Sequence, residues 1–65
     1  MELRLERGLK YRHDDRKIHI VGIIEDRVVY KWWSKRKQYW RYEIDSLNLV
    51  EMLIKRGTWV FLPRG

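Results

Sequence analysis

The chain has no cysteine, a single proline and only four glycines. Without cysteine there are no disulfides or thiolate metal sites, and an intracellular setting is the simpler expectation. Few Pro and Gly, set beside 37% charged residues, speak against a disordered tail. No apolar run approaches the roughly 18 residues of a membrane-spanning helix, and the alternating charges of Met1 to Arg7 do not resemble a secretory leader. Secretion and membrane association are therefore not expected. Phosphate-cradling runs of the GxxxxGK or GxGxxG type are missing, as is any HExxH spacing. Ser34 and Ser46, the only serines, have no glycine-rich elbow and no evident His partner.

One local absence is as informative: Arg27 to Tyr42, RVVYKWWSKRKQYWRY, contains no acid. It holds six basic residues and six of the nine aromatics, while the other 49 residues balance nine Lys or Arg against nine Asp or Glu. The whole formal charge of +6 is thus concentrated in one segment. Such local charge points to a surface that meets an acidic partner.

Sixty-five residues make one domain with a thin core, which large side chains must fill. Leu9, Tyr11 and His13 alternate with Lys10 and Arg12 after Gly8, and continue the alternation of Leu3 and Leu5, so a strand bent or bulged at Gly8 is expected. Asp14-Asp15 and Glu25-Asp26 are turn signals on either side of the β-branched run Ile18 to Ile24. Further strands are expected over Arg27 to Trp33 and from Gln38 or Tyr39 to Ile44. Asp45 or Ser46 can cap a helix carrying Leu47, Leu49, Val50, Leu53 and Ile54, ended by Gly57. Thr58 to Leu62 is then a last strand. The order β-β-β-β-α-β predicts a mainly β domain with one short helix, either an SH3-like small barrel or a curved antiparallel sheet covered by the helix.

Alternation along the third and fourth strands divides the aromatic segment into two faces. Pairing Tyr30 with Tyr42 and Trp32 with Trp40 would place these rings and Val28 in the core. The same register sets Trp33 opposite Tyr39 and Lys31 opposite Arg41 on the outer face. Two opposed cations repel by a few tenths of a kcal/mol to about 1 kcal/mol, a cost that stability alone does not explain. The expected binding residues are therefore Lys31, Trp33, Tyr39 and Arg41, continued by Lys35, Arg36 and Lys37 in the hairpin loop. A slip of one residue would turn Trp32, Trp40 and Tyr42 outward instead.

Catalytic chemistry finds little support. His13, Asp14, Asp15 and His19 have metal-ligand residue types, but the two His fall on separate strands about an ordinary acidic turn. Asp45 is expected to act as a helix cap and Glu43 as a partner of Arg41 or a nearby Lys, rather than as an acid-base pair. No catalytic residue, metal or cofactor is expected.

The run GLKYRH, then IHIVGIIEDRVVYKWW, then KQYWRYEI with a short helix after it resembles small accessory proteins of tailed bacteriophages, over Gly8 to about Val60. That resemblance implies either a DNA-binding factor or an inhibitor of a host polymerase, nuclease or defence component, acting in the bacterial cytoplasm. A looser likeness joins the segment to the basic, Trp-bearing sheets of small chromatin proteins of thermophilic archaea. Those end in their helix, whereas Thr58 to Leu62 follows it here, so their binding residues are not carried over. The expected partner is a DNA or RNA backbone or, through the same face, an acidic groove of a bacterial protein. The sequence sets no oligomeric state.

Overall fold

Two acidic dipeptides make the first hairpin turns of the computed structural model, which describes residues 5–63. Asp14-Asp15 joins β1 (Lys10–His13) to β2 (Arg16–Ile24), and Glu25-Asp26 joins β2 to β3 (Arg27–Ser34). Asp14 and Glu25 take φ of 57° and 54°, as the first residue of a tight two-residue hairpin turn must. The chain continues through β4 (Tyr39–Ser46) directly into α1 (Leu47–Lys55), and β5 (Val60–Leu62) completes it. Every strand pairing is antiparallel, in the spatial order β4-β3-β2-β1-β5. The expected element order holds. Among the described residues β4 and β5 share no ladder, so the architecture is an open antiparallel sheet covered by its helix.

Gly8 bends the chain at the entry to β1, but the expected strand does not run through it, since residues 5–9 lie outside any strand. The Gly8 φ is 93°, its N–H donates to the Ile20 carbonyl at 2.9 Å, and the Ile20 N–H donates to the Leu9 carbonyl at 2.9 Å. Two residues therefore oppose one, which is a bulge. A second irregularity falls in β2 between Ile20 and Gly22. The expected alternation over Glu2 to Arg4 lies outside the described residues.

Of the two proposed helix caps, Ser46 is the one used: its Oγ accepts the Leu49 N–H at 3.2 Å. Gly57, at φ 81°, ends the helix, with its N–H on the Ile54 carbonyl and the Thr58 N–H on the Leu53 carbonyl. The Leu47 N–H donates to the Asp26 carbonyl at 2.7 Å. That bond ties the helix start to the β2–β3 turn and lays the helix over one face of the sheet.

The core lies beneath it. Tyr11, Ile18, Ile20, Val28, Tyr30, Val50 and Trp59 are buried, with Leu47, Leu53 and Ile54 packed against them. Each large apolar side chain so buried is worth about 1.5–3 kcal/mol. Trp59, expected within the last strand, instead precedes it and forms the hub of the core. Its ring is 5.0 Å from Tyr30 and 5.9 Å from Tyr11, and its backbone N–H donates to the Leu53 carbonyl. Among the described residues the opposite face of the sheet carries no helix.

Candidate functional site

The β3–β4 register differs by one residue from the expected one. Trp33 pairs with Trp40, Lys31 with Tyr42, Trp32 with Arg41 and Tyr30 with Glu43. The cause lies at the hairpin tip, where Ser34 belongs to the ladder and pairs with Tyr39, leaving Lys35 to Gln38 as a four-residue loop. Ser34 Oγ accepts the Lys37 N–H at 3.2 Å, its carbonyl accepts the Gln38 N–H at 2.7 Å, and Gln38 turns the chain at φ 61°. Because strand faces alternate, this one-residue step turns every β4 side chain over.

Two expected site residues consequently change sides. Tyr39 and Arg41 do not join Lys31 and Trp33; they share the helix-covered face with Trp32. Trp40 and Tyr42, expected in the core, lie on the open face beside Lys31 and Trp33. Trp32 remains on the core side, half-buried. Lys35, Arg36 and Lys37 are exposed at the tip.

The open face also collects residues that the charge-dense segment did not reveal. Lys10 pairs with His19, which pairs with Lys31, and Arg12 pairs directly with Lys17. Alternation adds Arg27, so Lys10, Arg12, Lys17, Arg27 and Lys31 share this face, and among the described residues no strand contributes an acid to it. The opposed cations expected at Lys31 and Arg41 exist instead at Arg12 and Lys17. Among the described residues the only ion pairs are His13 with Asp14 and Arg27 with Asp26, both between chain neighbours at turns. The signal for the missed residues was present in the alternation of Lys10 and Arg12 about Tyr11, and of Lys17 and His19 about Ile18. Joining them to Lys31 required the sheet order.

Aromatic rings complete the face. Trp33, Trp40 and Tyr42 are 41%, 38% and 60% exposed. Trp33 and Trp40 meet edge to face at 5.5 Å, and His19 meets Trp40 the same way at 5.1 Å. Lys31 Nζ lies 4.6 Å from the Trp40 ring centre and 6.0 Å from that of Tyr42, within cation–π range. Partial burial, then the charges of Lys10, Lys31 and Lys17, hold His19 below the usual imidazole range.

The acids of β4 point the other way. The buried Tyr30 hydroxyl donates to Asp45 Oδ2 at 2.6 Å and lies 3.2 Å from Glu43 Oε2. Asp45 is thus not the helix cap, and Glu43 is held by Tyr30 rather than by Arg41. Burial, then these two carboxylates, push the Tyr30 hydroxyl well above the usual phenol range. Near the tip on this same face, the Arg16 and Arg41 guanidinium carbons lie 4.0 Å and 5.8 Å from the Trp32 ring centre.

Among the described residues no three potential metal-ligating side chains gather, and no helix is long and apolar enough to cross a membrane. Compared with protein-family models, curated proteins and solved structures, the chain matches none.

Proposed function

We propose that the helix-free face binds the phosphate backbone of nucleic acid without catalysis. Lys10, Arg12, Lys17 and Lys31 take phosphates, Trp33, Trp40 and Tyr42 pack against bases or sugars, and Lys35, Arg36 and Lys37 extend the field beyond the tip. The observation that carries this reading is the composition of one face: among the described residues, five cations, three exposed rings and no strand acid. Opposing Arg12 to Lys17 costs a few tenths of a kcal/mol to about 1 kcal/mol, and an anion laid across the pair reverses that cost. Each phosphate neutralised also releases counterions, which makes the affinity depend on salt.

Fluorescence anisotropy over a salt series tests the proposal. With four to six phosphates engaged, log K against log salt should fall with a slope of about −4 to −5 on duplex and about −3 to −4 on single strands. Micromolar or weaker binding at low salt without such a slope overturns it. If a pull-down from nuclease-treated bacterial lysate then retains one stoichiometric protein, the face serves an acidic protein groove instead.

A further inference from the structure

We infer that the ligand is a single strand of nucleic acid that crosses the open face and turns over the β3–β4 tip onto Trp32, Arg16 and Arg41. The inference rests on the nucleic-acid reading of the open face and specifies the class of ligand and its path. Its basis is an open hollow of about 780 Å³ at the tip, lined from both sides of the sheet. Lys17, Trp33 and Trp40 line it from the open face, and Arg16, Trp32 and Arg41 from the other. The loop residues Lys35 to Lys37 border the passage between them.

A duplex does not fit this shape. Its persistence length is about 150 base pairs, so it lies along a face and does not fold over the end of a hairpin. It also keeps its bases stacked on each other, whereas unpaired bases offer flat faces to exposed rings. Beyond the tip, Arg16 and Arg41 approach the two-ring system of Trp32, and among the described residues neither guanidinium is in an ion pair. Planar guanidinium forks left free in this way suit bidentate phosphate contacts. Trp40 and Trp33 would then stack bases on one side of the tip, while Arg16 and Arg41 receive the next phosphates on the other. Asp15, which also lines the hollow, opposes the strand, and Asp15→Asn should tighten binding.

The four tryptophans supply the test. In nitrogen-15-labelled protein, the indole N–H signals are followed on adding oligothymidine, oligouridine or a DNA duplex, each of about 12 units. The expected result is that either single strand shifts Trp33, Trp40 and Trp32 and leaves the buried Trp59 in place, while the duplex leaves Trp32 unmoved. Arg16→Ala and Arg41→Ala should each weaken single-strand binding about tenfold and leave duplex binding within about twofold. Shifts at Trp33 and Trp40 without one at Trp32, from both single strands, overturn the inference and leave the proposed function standing. No shift at any tryptophan with any ligand overturns both. The wild-type spectra decide the matter even if an Arg variant fails to fold.

Discussion

Trp33 and Trp40 stand directly opposite each other on the helix-free face of the sheet, their ring centres 5.5 Å apart and their planes at 73°. An edge-to-face pair of this kind is worth about 0.5–1.5 kcal/mol beyond its buried area. Both rings nevertheless stay more than a third exposed, so the pair gives up part of the burial that would serve stability. The exposed area is what the proposed ligand uses.

Trp40→Ala should therefore weaken binding while costing less stability than the loss of a core ring. Loss of a stacking platform is expected to weaken nucleic-acid binding by about 1–3 kcal/mol, and the lost ring pair with its partly buried area costs about 2 kcal/mol of stability. Trp59→Ala removes a buried hub and should cost about 3–5 kcal/mol, enough to unfold much of a small domain. Urea melts and anisotropy on the two variants separate the roles. Equal losses of stability would contradict the division of the tryptophans between the faces.

Tyr30 carries an alkaline liability. Its hydroxyl is held above the usual phenol range by burial and by Asp45 and Glu43, so its contribution to stability is complete below about pH 10 and is lost as pH rises beyond it. Tyr30→Phe should cost about 2 kcal/mol at neutral pH by removing a hydrogen bond to charged acceptors. It should also lessen the alkaline loss, with Tyr11, raised by burial, supplying a remainder. Unfolding midpoints from about pH 8 to 11 check both effects.

His19 gives the opposite pH sense. Its folded pKa lies below the ordinary value near 6.5, so stability is full above about pH 6.5 and falls as pH drops through the folded value. His19→Gln should flatten that dependence. A phosphate laid among Lys10, Lys17 and Lys31 offsets their repulsion of the imidazolium, so binding should take up a proton and tighten as pH falls from about 7.5 to about 5.5. Affinities of the wild type and of His19→Gln at those two pH values test the linkage.

Ser34 closes the β3–β4 ladder through its backbone, and its buried Oγ accepts the Lys37 N–H. Ser34→Ala should cost about 1 kcal/mol and leave the register in place, because the backbone at position 34 still pairs with Tyr39. Deleting Lys35 draws Ser34 into the loop if the tip keeps its four residues, which favours pairing Trp33 with Tyr39. Cross-strand nuclear Overhauser contacts would report that change as new Trp33–Tyr39 proximity.

The element order was legible because each boundary carries its own chemistry: acidic turns at Asp14-Asp15 and Glu25-Asp26, a cap at Ser46 and a left-handed Gly57. The β3–β4 register was not. Large aromatics occupy both alternation phases, Trp32 and Trp33 on one strand and Tyr39 and Trp40 on the next, so no hydrophobic pattern selects a face. A single serine, readable as loop or as strand, then decides it. Lys31 and Trp33 keep the expected face, whereas Tyr39 and Arg41 exchange it with Trp40 and Tyr42. Lys10, Arg12, Lys17 and His19 were hidden for another reason: their nearness to Lys31 comes from sheet pairing between distant parts of the chain. Trp59 gave no sign of its central place, since its environment is assembled from β1, β3 and the helix end.

The most direct measurement compares two double charge reversals that alter net charge equally. Arg12→Glu/Lys17→Glu changes the open face, and Lys55→Glu/Arg56→Glu changes the end of the helix; each lowers the formal charge from +6 to +2, since four units are lost either way. Anisotropy with the same oligonucleotide at about 0.1 M salt, where charges beyond about 10 Å are screened, should show the first variant weakened about a hundredfold or more and the second within about threefold. Equal weakening by the two would mean that net charge alone drives binding, and would contradict the assignment of the site to the helix-free face.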